Sequence, residues 1–79
     1  MAHTVTIYST PTCPYCKLAK AYMDEHHVTY TNYDVAADAD RADEMMKKSG
    51  QMGVPVIEID SKIIVGFDKP ALKEALGIA

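Results

Sequence analysis

The sequence has little clustered positive charge and no long apolar run. Its 8 lysines and arginines are outnumbered by 11 aspartates and glutamates, and its longest basic stretch is the pair Lys47-Lys48. Proteins that bind nucleic acids usually carry clustered positive charge, so a net charge of −3 argues against that class. No apolar segment approaches the ~20 residues that a transmembrane helix needs, and we therefore expect no membrane partner.

The beginning of the chain lacks the cationic start and long apolar run of an export signal. We therefore expect a cytoplasmic protein. A length of 79 residues predicts a single domain over 1–79, with no room for a separate dinucleotide-binding or substrate domain. No repeat, low-complexity tract or linker divides it, and we expect a monomer.

Cysteine is scarce, because the chain contains only Cys13 and Cys16, separated by Pro14 and Tyr15. In a reducing cytosol such a pair is more often redox-active or metal-binding than a structural disulfide. Zinc usually needs a second cysteine pair or spaced histidines, and here His26-His27 are adjacent. We therefore predict no metal within one chain. A metal shared between two subunits, with ligands from both, is an alternative that the spacing leaves open.

The spacing of apolar residues predicts seven elements. Alternating or β-branched runs predict strands over 4–8, 28–35, 55–59 and 63–65. Apolar residues at three- and four-residue steps predict helices over 14–27, 38–49 and 70–76, and Gly50 is expected to end the second helix. The order is β-α-β-α-β-β-α, so the fold class is α/β. A parallel first pair of strands and a final antiparallel hairpin would form a mixed four-stranded sheet with helices on both faces.

Side chains on the helices and on the first strand are expected to be buried. The predicted buried face of the first helix consists of Tyr15, Leu18, Ala19, Tyr22 and His26. Core positions are also predicted for Tyr8, Met45, Met46, Leu72, Ala75 and Leu76.

The position of Cys13 at the start of the first helix gives it a chemical role. As the N-cap, with Pro14 at the first helical position, its sulfur would face the free N–H groups of Tyr15 and Cys16. These amides and the helix dipole favour a thiolate over a thiol, so we predict that Cys13 is the nucleophile. Cys16 lies deeper and is expected to act second, forming a reversible disulfide with Cys13.

Three segments of the chain together resemble the glutaredoxins, a branch of the thioredoxin-like superfamily. They are Thr12-Cys13-Pro14-Tyr15-Cys16 after the first strand, Gly53-Val54-Pro55-Val56, and Val65-Gly66-Phe67-Asp68. The resemblance extends from Val5 to Leu76. It implies a thioredoxin-like fold and a dithiol–disulfide oxidoreductase that reduces protein or glutathione mixed disulfides. It also implies glutathione as the reductant and no tightly bound cofactor.

The resemblance also implies how substrate is held. It makes Pro55 a cis proline, whereas periodicity alone favours a trans proline opening a strand. Val54 would then offer its backbone to an extended peptide or to glutathione lying over Cys13. Asp68 would hold the α-amino group of glutathione, and its position before Pro70 also predicts that it caps the last helix. The predicted substrate- and glutathione-binding residues are Pro14, Tyr15, Lys17, Val54, Pro55 and Asp68.

Some residues depart from the glutathione-dependent pattern. Thr10 stands where a lysine is common, and Gly53 stands where a threonine is usual. The stretch Gly66-Phe67-Asp68-Lys69-Pro70 is similar to that of glutaredoxin-like hydrogen donors that thioredoxin reductase reduces. The electron source is therefore left open between glutathione and thioredoxin reductase. A third alternative is a dimer that bridges an iron–sulfur cluster through Cys13 and two glutathiones, which Pro14 disfavours.

Overall fold

The predicted β-α-β-α-β-β-α order is confirmed in a computed structural model of the protein, which describes residues 4–51 and 53–77. The strands are β1 (Val5–Ser9), β2 (Thr31–Asp34), β3 (Val56–Ile59) and β4 (Lys62–Val65). The helices are α1 (Pro14–Glu25), α2 (Ala39–Ser49) and α3 (Lys69–Leu76). In these residues, no helix is both long and apolar enough to cross a membrane.

The largest boundary error falls between α1 and β2. The predicted helix extends to residue 27 and the predicted strand begins at 28, but α1 ends at Glu25 and β2 begins at Thr31. His27 adopts a left-handed conformation with φ of 57°, and the Val28 N–H donates to the Met23 carbonyl at 2.8 Å. This turn closes the helix early and delays the strand.

The helix α2 ends as the sequence predicts. Gly50 adopts a φ of 76° and its N–H donates to the Met46 carbonyl, which closes the last turn. At the other end, Asp38 is the N-cap rather than the first helical residue, because its side chain accepts the Arg41 N–H at 3.2 Å.

The strand order in the sheet is β2-β1-β3-β4. β1 pairs with β2 in parallel and with β3 antiparallel, and β3 and β4 form the predicted antiparallel hairpin. The carboxyl ends of β1 and β4 therefore lie at the same end of the sheet as the amino end of β3. That end receives the three segments that carry the sequence motifs.

The side chains of the sheet alternate between two apolar layers. Ile7 faces the layer that includes α1 and α3, whereas its neighbour Tyr8 faces the layer that includes α2. The first layer contains Val5, Ile7, Ala19, Tyr22, Met23, Ile57, Ile59, Ile64, Leu72 and Leu76. The second contains Tyr8, Met45 and Val56. Helices thus cover both faces of the sheet, as predicted.

The predicted buried face of α1 is wrong in its first turns. Tyr15 is 62% exposed and Leu18 is 49% exposed, whereas Cys16, Ala19 and Met23 are fully buried. Positions 16, 19 and 23 form one row along the helix at three- and four-residue steps. The small side chains of Cys16 and Ala19 therefore lie in the buried row of the helix, and the larger side chains of Tyr15 and Leu18 face outward.

The prediction for α2 is correct at Met45, which is buried, and wrong at Met46, which is 39% exposed. Tyr8 is buried in the sheet as predicted, and its hydroxyl donates to the Glu44 carboxylate of α2 at 2.6 Å. Burial, followed by this hydrogen bond, raises the pKa of Tyr8 to about 12. The same hydrogen bond is the main cause that holds the pKa of Glu44 below its usual value.

Candidate active site

The first helix begins with the predicted cap. Cys13 has an extended backbone, with φ of −88° and ψ of 113°, and its sulfur accepts the Cys16 N–H at 3.2 Å. Pro14 occupies the first turn, where a missing N–H leaves no intrahelical bond unmade. The sequence predicts that the amides of Tyr15 and Cys16 face the sulfur, and the amide of Cys16 donates this hydrogen bond. An amide donor at a helix start stabilises negative charge on this sulfur.

The two sulfurs differ sharply in environment. Cys13 is partly exposed, whereas Cys16 is fully buried, and both are free thiols. Burial, followed by a hydrogen bond with the Cys13 sulfur, raises the pKa of Cys16 to about 11. A backbone hydrogen bond with Thr10 and the charge of Lys20 oppose this shift and do not cancel it. Cys16 is therefore a thiol at neutral pH.

A second segment approaches the sulfur of Cys13. Its Sγ lies 3.8 Å from the carbonyl oxygen of Val54, and the Val54–Pro55 peptide bond is cis, as the resemblance implies. The third segment adjoins the second, because the Gly66 N–H donates to the Pro55 carbonyl at 2.8 Å. The three motif segments thus meet at one end of the sheet.

Asp68 begins the last helix. One oxygen of its carboxylate accepts the Ala71 N–H at 3.2 Å, which confirms the predicted cap on α3. The side chain is exposed. A carboxylate has two oxygens with several acceptor positions, so this hydrogen bond leaves capacity for a second partner.

Tyr15 and Lys17 lie on the first turn of α1 with exposed side chains. The Lys17 N–H donates to the Cys13 carbonyl at 3.2 Å, so its backbone stabilises the turn below the sulfur. In residues 4–51 and 53–77, the described hydrogen bonds of the Cys13 sulfur involve Cys16 and Val54. They do not include the side chains of Tyr15, Lys17 or Asp68.

The sequence did not predict a contact beside the site between Gln51 and Gly53. The Gln51 side chain accepts the Gly53 N–H at 2.7 Å and donates to the Gly53 carbonyl at 3.0 Å. The sequence signal is a glutamine two residues before a glycine, which is too short and common a pattern to predict such a pairing.

The chemistry available at this end of the sheet is that of two thiols. In the ranges that the structure describes, no three His, Cys, Asp or Glu side chains are grouped so as to hold a metal ion. A partly exposed sulfur that accepts an amide hydrogen bond lies beside a buried, protonated one. This combination suits an attack by the first sulfur followed by a reaction between the two.

Known proteins share both the sequence and the fold. The model of the glutaredoxin family matches residues 5–64. An uncharacterised glutaredoxin-like 8.6 kDa protein in the rubredoxin operon of Clostridium pasteurianum is 44% identical over 72 residues, covering 91% of this chain and 96% of the relative. Glutaredoxin 3 of Escherichia coli K12 is 38% identical over 73 residues, covering 92% and 88%.

A solved structure adds agreement in the fold. The crystal structure of a variant of the thioredoxin-like protein BC3987 superimposes with a TM-score of 0.91 at 26% identity, covering 96% of this chain and 97% of that one. The mixed sheet and three helices are therefore a thioredoxin-like fold. With the family model matching residues 5–64 and a thiol pair at the helix start, the chain belongs to the glutaredoxin family and is a glutaredoxin-type thiol–disulfide oxidoreductase.

Proposed function

We propose that this oxidoreductase reduces protein disulfides and glutathione mixed disulfides through a dithiol cycle at Cys13 and Cys16. The observation that carries the proposal is the 3.2 Å hydrogen bond from the Cys16 N–H to the Cys13 sulfur. This donor stabilises negative charge on the Cys13 sulfur, which suits that sulfur to act as the nucleophile. Its partial exposure makes it the sulfur that substrate reaches first.

In the first step, the Cys13 thiolate attacks one sulfur of the substrate disulfide. A bond forms between Cys13 and that sulfur, the substrate S–S bond breaks, and the other sulfur leaves as a thiolate. The protonated state of Cys16 suits this step, because a second negative charge would oppose the first.

In the second step, Cys16 loses its proton and attacks the Cys13 sulfur. The bond between Cys13 and the substrate breaks, the substrate leaves as a thiolate, and a Cys13–Cys16 disulfide forms. Two electrons have then passed from the two cysteines to the substrate. The raised pKa of Cys16 predicts that proton removal assists this step, with the leaving thiolate as one acceptor.

Substrate binding is proposed to use the surroundings of Cys13. The Val54 carbonyl, 3.8 Å from the sulfur, marks where an extended peptide or glutathione would pair with the backbone before Pro55. Asp68 would bind the α-amino group of glutathione with its remaining carboxylate capacity. Lys17 would attract anionic substrate groups, and Pro14 and Tyr15 would form the adjoining surface.

We propose glutathione as the electron donor that returns the disulfide to two thiols. Two glutathione molecules would supply the two electrons and leave as glutathione disulfide. The rival donor is thioredoxin reductase, which the stretch Gly66-Phe67-Asp68-Lys69-Pro70 favours. Thr10 and Gly53 depart from the glutathione-dependent pattern. We further propose a monomeric single domain in the cytoplasm, with disulfide-containing proteins as partners and no tightly bound cofactor.

The test is to reduce the oxidised protein with glutathione alone and, separately, with NADPH and thioredoxin reductase, and to count free thiols. Fast reduction by glutathione, with steady turnover of a glutathione mixed disulfide, is the expected result. Reduction by the reductase alone would reassign the donor. Failure of both systems, for a protein that dithiothreitol reduces to two thiols, would contradict the dithiol cycle with these donors.

A further inference from the structure

The segment that leads from α2 to Val54 is held by short-range hydrogen bonds. The Ser49 hydroxyl lies 2.7 Å from the Met45 carbonyl oxygen and 2.9 Å from that of Gln51. It also accepts the Gln51 N–H at 3.4 Å. The backbone of Gln51 is therefore attached to the end of the helix, so its side chain projects from a supported position.

The side chain of Gln51 makes two hydrogen bonds with the backbone of Gly53. Oε1 accepts the Gly53 N–H at 2.7 Å, and Nε2 donates to the Gly53 carbonyl at 3.0 Å. We refer to these two hydrogen bonds as the Gln51 clamp. Both atoms of the amide are used, which requires the neutral amide rather than a carboxylate or an ammonium group.

The absence of a side chain at position 53 makes the clamp possible. A Cβ added to Gly53 would lie 2.6 Å from Gln51 Oε1, which is too close for non-bonded atoms. Any larger residue at 53 would therefore displace the end of the glutamine side chain. Gln51 and Gly53 act as one unit.

The clamp acts directly on the peptide unit that carries the Val54 N–H. The Gly53 carbonyl and the Val54 N–H belong to one planar peptide group, in which they point in opposite directions when the bond is trans. The cis bond is the next one along the chain, between Val54 and Pro55, and not the Gly53–Val54 bond. A hydrogen bond that holds the Gly53 oxygen on one side therefore holds the Val54 N–H on the other.

We propose that Gln51 is a positioning residue for the reduction of peptide-like disulfides. By fixing the Gly53–Val54 peptide plane, it presents the Val54 backbone to an extended substrate whose sulfur is attacked by Cys13. The inference rests on the proposed binding of substrate to Val54. It predicts that Gln51 matters for substrates that have a peptide backbone and not for small disulfides that lack one.

The test compares two chromogenic mixed disulfides that share a nitrothiobenzoate leaving group, one carried on a cysteine-containing peptide and one on mercaptoethanol. The pre-reduced protein attacks each in a single turnover without glutathione, and the released chromophore gives the rate. Replacing Gln51→Met should slow the peptide reaction about tenfold, the loss expected for roughly one net hydrogen bond. The mercaptoethanol reaction should stay within about twofold.

The control variant is Lys47→Met, which introduces the same residue at an exposed position of α2 and should change neither rate. Gly53→Ala should reproduce the loss for the peptide, and the double variant should lose no more than either single variant. Equal slowing of both substrates by Gln51→Met, or additive losses in the double variant, would overturn the inference.

The proposed function can fail separately in this experiment. If the unaltered protein reacts no faster with the peptide disulfide than with the mercaptoethanol disulfide, the Val54 backbone does not select substrate. If the unaltered protein prefers the peptide and Gln51→Met keeps that preference, the positioning role of Gln51 alone is wrong. Urea unfolding of each variant completes the comparison, since a purely structural role would lower stability and leave the preference intact.

Discussion

Alkaline pH should destabilise the reduced protein through Cys16. The pKa of this buried thiol is raised to about 11, whereas an unfolded cysteine titrates near 8.5. Between these values the folded protein retains a proton that the unfolded chain has lost. The free energy of unfolding therefore falls as the pH rises through this window, and the contribution of Cys16 is constant below it.

The size of this effect follows from the separation of the two pKa values. Each unit of separation corresponds to about 1.4 kcal/mol, so the loss approaches about 3 kcal/mol as the pH reaches the folded pKa. Solvent screens this effect little, because the Cys16 side chain is fully buried. A loss of this size is a large fraction of the stability of a small domain.

The measurement is urea unfolding of the reduced protein at several pH values, alongside the variant Cys16→Ser. The serine hydroxyl does not titrate in this range, and the tyrosines with raised pKa values, including Tyr8, are present in both proteins. We expect the free energy of unfolding to fall more steeply with pH for the unaltered protein. Parallel curves for the two proteins would refute the burial argument for Cys16.

Two further substitutions test separate parts of the structure. Tyr8→Phe removes the hydroxyl that donates to Glu44 at 2.6 Å, so we expect a loss of about 1 kcal/mol in urea unfolding, with unchanged turnover of a glutathione mixed disulfide. A fall in turnover at unchanged stability would contradict this reading. Asp68→Ala should lose about 1 kcal/mol of stability, because it removes the cap on Ala71, and should raise the KM for glutathione. Asp68→Asn keeps a capping oxygen and should raise the KM alone; an unchanged KM in both variants would exclude Asp68 as a glutathione contact.

The architecture could be predicted from the sequence because most of its elements have clear local patterns. The run Val56–Ile59, a tight turn and Lys62–Val65 form the predicted hairpin, and Gly50 ends α2 in the left-handed conformation that favours glycine. The end of α1 was harder to predict, since His27 adopts a left-handed conformation although it is not a glycine. Nothing in the apolar spacing marks such a residue.

The candidate site was predictable only in part. The cap formed by Cys13 follows from a cysteine, a proline and a helical pattern in sequence, and so does the cap formed by Asp68. The apolar spacing did not predict the exposure of Tyr15, because such spacing cannot show which of two adjacent rows of a helix faces the sheet; the resemblance, which makes Tyr15 a substrate-binding residue, agrees with it. The Gln51 clamp depends on the path of the backbone, which the residue types do not determine.

The most direct test of the order in which the two sulfurs react is to trap the products. A glutathione mixed disulfide is added separately to the reduced unaltered protein, to Cys13→Ser and to Cys16→Ser. Each reaction is quenched with acid, and the masses of the products are measured by mass spectrometry. We expect Cys16→Ser to accumulate glutathione on Cys13, the unaltered protein to form an internal disulfide, and Cys13→Ser to stay unmodified over the same time. Glutathione attached as quickly to Cys16 in Cys13→Ser would show that the capped sulfur is not the nucleophile.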